Sequence, residues 1–421
     1  MKRNIKEIIG QMTLEEKAGM CSGKDYWNLK GVERLGIPSV KVSDGPNGLR
    51  TPTIDSEQLG FNSMEAISYP SACLSACSFD TELMEEMGER IGEECRSRNI
   101  AVILGPSANM KRSPLCGRNF EYFSEDPYLG AHIAAAYVKG VQSKDVSACV
   151  KHFTANNQEY RRQTCSSEAD ERTLREIYLN AFEDVVKEGK PDIMMASYNK
   201  VNGTYMTENK KILTDILRDE WGFDGYVMSD WSAVSDRVKA LKAGLDLAMP
   251  GEGLYMDQEI VKAVQDGMIT EEELDKAVER ILKIIFKFTD SDKKGTFDKE
   301  YDHNISKKVA EESMVLLKND GILPLPEKGK KIAFIGAFAK TPRFQGGGSS
   351  NVNPYKVISA LDAAKSITEI SYAQGFELTG EKRNDELFDA ALKTAAEADV
   401  VVIFAGLPET FESEGFNRTH M

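Results

Sequence analysis

DTELMEEMGERIGEECRSRNIAVILGP, residues 80–106, contains a whole helix-to-strand unit. Asp80 stands at an N-cap position, and Met84, Met87, Ile91 and Cys95 follow at spacings of three and four, which predicts one apolar helix face. IAVILGP then runs apolar without alternation, as a strand buried on both faces does. A helix with one greasy face beside such a strand predicts a parallel sheet covered by crossover helices. The unit recurs along the chain. YLGAHIAAAYVKGV precedes VSACV, TLREIYLNAFEDVVKEGKP precedes IMMASY, and KILTDILRDEWGFD precedes GYVMSD, while PSVKVS supplies an earlier strand and GLDLAM a later one. Thr270 and Glu273 form a capping box that opens a closing helix with Leu274, Val278, Ile281 and Ile285 on one face.

At 421 residues the chain exceeds what one core supports, so one large domain and part of another are expected. The polar, turn-rich stretch FKFTDSDKKGTFDKEYDHN marks the junction. Beyond it KKIAFIG reads as a strand, QGGGSSNVN as a loop, NDELFDAALKTAAEA as a helix and DVVVIFAG as a strand. The expected organisation is an α/β catalytic unit over 1–290, a linker and bridging helix over 291–317, and an incomplete α/β domain with a mostly parallel sheet over 318–421. So few strands cannot bury both faces of a parallel sheet, so a second polypeptide is expected to complete it.

The formal net charge of −14 leaves no positive field for a phosphate backbone or an anionic bilayer, which argues against nucleic acid and membrane partners. The opening MKRNIKEIIGQMTLEEKAG is charged throughout and lacks the apolar core of a signal peptide. Seven cysteines, Cys21, Cys73, Cys77, Cys95, Cys116, Cys149 and Cys165, show no zinc-ribbon spacing and read as reduced thiols, so a cytoplasmic location is expected. The four histidines, His132, His152, His303 and His420, form no HxH or HExxH pair, which predicts no metal site. KKIAFIG has Gly336 but not the rest of GxGxxG, which leaves a nucleotide cofactor without its loop.

Unusual polar residues follow the predicted strands: Asp44 after PSVKVS, Lys151 and His152 after VSACV, Tyr198 after IMMAS, and Asp230 with Trp231 after YVMS. Each alone has a plain structural explanation, Asp230 as the cap of a following helix for example. In a parallel barrel, however, the strand ends converge on one face, and carboxylates, cations and an indole gathered there suit a sugar.

SDGPNGLR, GRNFEYFSEDP, KHFTANNQEYRR, MMASYNKVNG, GFDGYVMSDW and ESEGFNR occur in this order, and together they resemble glycoside hydrolase family 3 of the β-glucosidase type. The resemblance runs from MTLEEKAGM to the last residues. It implies a (β/α)8-like barrel followed by an α/β sandwich domain that lends part of the site. It also implies a sugar subsite of Asp44, Arg50, Arg118, Lys151, His152, Arg162, Met195, Tyr198 and Trp231, with Ser349 of QGGGSS reaching over the sugar. By the same resemblance Asp230 is the nucleophile and Glu414 the acid/base of a retaining hydrolase, a mechanism that needs no cofactor.

Cationic neighbours are then expected to keep Asp230 ionised, and burial beside a like charge to raise the pKa of Glu414. The implied substrate is a β-glucoside or cello-oligosaccharide. Alternatives are a β-xylosidase or another β-glycosidase of the family, and a non-catalytic sugar-binding fragment; a homo-oligomer is left open. The family's N-acetylglucosaminidase subgroup carries a Pro-Gly-His stretch where this chain reads TANNQEYRR. Glu414 is expected in a loop that nothing following it anchors.

Overall fold

The computed structural model describes residues 3–53, 63–251, 253–379 and 382–421. Five parallel strands, β1 (Lys41–Asp44), β2 (Ile100–Leu104), β3 (Ser147–Phe153), β4 (Ile193–Ala196) and β5 (Tyr226–Ser229), lie side by side in chain order. Helix α1 (Thr81–Ser97) leads into β2, and Asp80 caps it by accepting from the Glu82 and Leu83 N–H groups. Its buried face contains Met84, Met87, Ile91 and Cys95, the predicted stripe. Pro127 opens α2 (Pro127–Gln142), where its missing N–H costs nothing, and Asp126 caps it. Residues 171–189 and 211–220 form the next helical coverings, with wide π turns in both. Thr270 and Glu273 make the predicted capping box of α3 (Glu271–Thr289).

The expected eight-strand barrel is corrected to a barrel-like sheet of five regular strands. GLDLAM forms no regular strand. Leu247 bridges Met228, Ala248 bridges Ser22, and Asn28 bridges Lys41 at the start of β1, so the ring closes through single pairings. Asp246 supplies a physical reason. Its buried carboxylate accepts the Val227 N–H at 2.7 Å and pairs with Arg218 at 2.5 Å and Arg280 at 2.9 Å, so a side chain takes up a donor that a ladder would use.

The stretch expected as a linker packs on the barrel. After α3 the chain crosses to α4 (Lys299–Glu312), whose Asp302 accepts from Arg90 of α1 at 2.5 Å, while Glu93 of α1 accepts the Thr296 N–H at 2.8 Å. A second parallel sheet follows, made of β6 (Ile332–Ile335), β7 (Ile370–Ala373) and β8 (Val400–Ile403) in the order β7-β6-β8. The strand β7, within ITEISYA, adds to the two strands expected from the sequence. Helix α5 (Asp385–Ala396) runs between β7 and β8. All seven cysteines are free. No helix among the described residues is long and apolar enough to cross a membrane.

Candidate active site

The ends of β1, β3, β4 and β5 and two loops of the second region surround a cavity of about 500 Å³. All twelve residues singled out from the sequence line it: Asp44, Arg50, Arg118, Lys151, His152, Arg162, Met195, Tyr198, Asp230, Trp231, Ser349 and Glu414. Tyr26, Trp27, Gln163, Ser232, Gly348 and Gly415 line it too, and the sequence reading did not name them.

Asp44 ends β1 and takes Arg50 Nη1 at 3.3 Å on one oxygen, with Lys151 Nζ 3.7 Å from the other. Lys151 and His152 are themselves part of β3, both buried. Asn109 fixes the His152 backbone by accepting its N–H at 2.7 Å and donating to its carbonyl at 2.8 Å. Burial pushes the His152 pKa well below the imidazole range, and Arg118, Lys151 and Arg162 push it further, so this ring is neutral. Arg162 stacks over the Tyr198 ring at 4.5 Å.

Asp230 follows β5. Its Oδ1 accepts the Trp231 N–H at 2.8 Å, whereas the buried Oδ2 has no hydrogen-bond partner among the described residues and has His152 Nε2 3.7 Å away. Trp231 packs with Trp27 and Tyr26 at ring-centroid distances of 5.8 and 6.2 Å, which gives the cavity an aromatic wall. Burial pushes the Tyr26 phenol up to about 12, with the charges of Asp44, Asp230 and Glu414 adding to it, so three carboxyls converge on one space.

Glu414 arrives from the second region. Its Oε1 lies 2.8 Å from Arg162 Nη1 and 3.7 Å from Arg118 Nη1, and its Oε2 accepts the Ser349 N–H at 2.8 Å. Gly348, at φ +107°, backs onto it so closely that a Cβ there would lie 2.4 Å from Glu414 Cβ. The expected proton distribution is reversed here. Burial raises Glu414, but Arg118, Arg162 and the Ser349 hydrogen bonds outweigh it and hold the carboxyl well below its ordinary range. For Asp230 burial outweighs Arg162 and Arg118, and the charge on Glu414 adds to the rise. The guanidiniums sit nearer Glu414, which the sequence order could not reveal.

The two arginines have acidic partners of their own, three residues away in sequence. Arg118 donates to Glu121 at 2.5 Å, and Arg162 to Glu159 at 2.8 Å, with both acids fully buried. Nor is the loop of Glu414 unanchored, as expected from sequence. Arg418 N–H donates to the Leu115 carbonyl at 2.8 Å and Gly415 N–H to Glu159 at 2.9 Å, so the barrel itself holds residues 415–418. Nothing supports a second polypeptide in that role. Among the described residues no group of three His, Cys, Asp or Glu side chains could hold a metal ion.

Residues 51–284 match the family model described as the glycosyl hydrolase family 3 N terminal domain, and residues 314–421 match that of the C-terminal domain. The chain belongs to glycosyl hydrolase family 3. Over its whole length this family 3 chain is 52% identical to thermostable beta-glucosidase B of Acetivibrio thermocellus, spanning 57% of that protein. It is 47% identical, over 99% of its length, to an exo-alpha-(1->6)-L-arabinopyranosidase of Bifidobacterium longum, again spanning 57% of the relative. The crystal structure of a family 3 beta-glucosidase from Bifidobacterium adolescentis superposes with a TM-score of 0.91 at 46% identity, covering 98% of this chain and 59% of the other. The chain thus spans somewhat over half the length of these relatives.

Proposed function

We propose that this chain carries the active site of a retaining, exo-acting β-glycosidase that releases terminal β-D-glucose from β-glucosides or cello-oligosaccharides. The observation that carries the reading is a pair of carboxyls, Asp230 from a barrel strand end and Glu414 from the second region, facing one cavity lined with cations and indoles. Asp230 Oδ2, which has no hydrogen-bond partner among the described residues, is the nucleophile. It bonds to the anomeric carbon as the bond to the leaving oxygen breaks, and Glu414 gives that oxygen a proton. In the second half Glu414 takes a proton from water, the water oxygen bonds to the anomeric carbon, and Asp230 departs as carboxylate.

Without substrate, burial raises the Asp230 pKa while Arg118 and Arg162 lower that of Glu414, the opposite of the order that the first step needs. A glycoside resolves this by offering its hydroxyls to Arg118 and Arg162 and its leaving oxygen to Glu414. The bound sugar excludes water from Glu414 and so adds to the burial that raises its pKa, which favours the protonated form that the leaving oxygen needs. Binding energy from the ring hydroxyls is thereby converted into the catalytic charge state.

Asp44, with Arg50 and Lys151, grips the far side of the ring, which favours glucosides over xylosides. A buried charged acceptor left without its hydroxyl costs about 1 to 3 kcal/mol. A second reading comes from the arabinopyranosidase relative: an arabinopyranoside also lacks the exocyclic hydroxymethyl group, so Asp44 would serve a different hydroxyl. The test is kcat/KM for aryl β-glucoside, β-xyloside and α-L-arabinopyranoside, together with NMR of the first-formed sugar. The expected outcome is fastest release of glucose, as the β-anomer. A first-formed α-anomer contradicts the mechanism, and preference for the arabinopyranoside replaces the substrate.

A further inference from the structure

We infer that Glu159 is a positioning residue, the latch by which the barrel holds the Glu414 segment in place. It lies in the loop after β3, and its side chain is fully buried. Its Oε2 accepts at 2.8 Å from Arg162 Nη1, which is also 2.8 Å from Glu414 Oε1, and at 2.9 Å from the N–H of Gly415, the residue after Glu414. One carboxylate oxygen therefore fixes both the side-chain partner of Glu414 and its backbone neighbour. The Glu159 N–H donates in turn to Asn417 Oδ1 at 2.8 Å, and the same oxygen takes the Gly117 N–H at 3.4 Å. The contact is too close for any side chain at position 117, where a Cβ would lie 1.9 Å from the Phe416 carbonyl oxygen. Glu159 is not among the residues that line the cavity, so it acts through Arg162, Gly415 and Asn417.

The inference rests on the reading of Glu414 as the acid/base. A misplaced acid slows glycosides with poor leaving groups and spares those whose leaving group departs unaided, whereas general damage to the fold slows both alike. In Glu159→Ala, kcat/KM for cellobiose is expected to fall about 100-fold, the effect of an ångström-scale displacement, and that for 2,4-dinitrophenyl β-glucoside far less. Glu159→Gln, which retains an acceptor for Gly415, recovers part of the loss. Asn417→Ala removes the outer arm of the latch and should give the same split at smaller size, and it serves where Glu159→Ala does not fold. Amide exchange over 413–418 should quicken in Glu159→Ala or Asn417→Ala while that over 100–104 stays unchanged. Equal falls on both substrates, or unchanged exchange at 413–418, overturn the inference. An unaltered protein that cleaves neither glucoside overturns the functional reading instead, and the exchange measurement still decides whether Glu159 is the latch.

Discussion

Strands β2 and β8 are similar in sequence, IAVIL and VVVI, and both belong to parallel sheets. Every residue of β2 is buried, whereas β8 alternates half-buried with exposed, and Ile403 is 71% exposed against 0% for Ile103. The barrel sheet lies in one core that runs from Ile9 to Val352, while the second sheet has a small cluster built on Ile332, Phe334, Ala339, Leu361 and Ile370. Yet the sparsely packed region contributes Glu414, which the proposed mechanism requires to be precisely placed. Precision in the site is borrowed from the barrel. Glu159, Leu115 and Gly117 of the barrel hold the 415–418 segment, so the packing of its own sheet matters less than its contacts across the cavity.

The largest effect that sharpens the contrast is catalytic. Asp230→Gly should lower kcat by about 10⁴-fold or more on every glucoside, because the proposed nucleophile is needed whatever departs. Azide should then restore turnover of activated aryl glucosides and yield the α-glucosyl azide. Glu414→Ala should instead spare the first step for dinitrophenyl β-glucoside. Equal losses in the two variants across leaving groups would break the division of labour between the regions.

Stability comes next. Arg118→Ala leaves Glu121 buried without its partner, and urea unfolding should show a loss of about 3 to 5 kcal/mol. A matched pair then compares the two sheets directly. Ile103→Ala in β2 should cost about 2 to 5 kcal/mol by leaving a cavity in the barrel core. Ile403→Ala should stay within about 0.5 kcal/mol, as exposed substitutions do. A cost at Ile403 equal to that at Ile103 would mean that its face is covered in solution.

The smallest effect concerns pH. The negative charge on Glu414 helps hold the Asp230 pKa up, so neutralising it lowers that pKa. The acid limb of kcat/KM for dinitrophenyl β-glucoside should therefore move to lower pH in Glu414→Gln, by on the order of one unit or less. Movement in the other direction would mean that the two carboxyls do not share one field.

Much of this was legible in the sequence where a residue's role depends on its own strand. Met84, Met87, Ile91 and Cys95 declared their helix face by spacing, and Asp44, Lys151, Tyr198 and Asp230 declared a common edge by ending successive strands. What depends on distant partners was hidden. Asp246 looked like one more strand residue until its contacts with Arg218 and Arg280 appeared, and the closing bridges at Ser22 and Asn28 are too short to leave a periodic trace. ITEISYA is short and half polar, and β7 went unread. Tyr26 and Trp27 precede the first strand, and their only signal was the aromatic pair in GKDYW. Glu121 and Glu159 were visible as acids three residues from an arginine, but that spacing also describes ordinary surface pairs, and only burial separates them. The proton order of Asp230 and Glu414 depends on which carboxyl the guanidiniums reach in space.

Attack of Asp230 on the sugar can be caught by trapping the covalent intermediate. Incubation with 2-deoxy-2-fluoro-β-D-glucosyl fluoride slows release of the covalent intermediate, and peptide mass spectrometry then locates the label. One fluoroglucosyl group is expected on the peptide containing GYVMSDW, attached at Asp230. A label on Glu414 or any other carboxyl, or hydrolysis of the fluoride with no label at all, would contradict it.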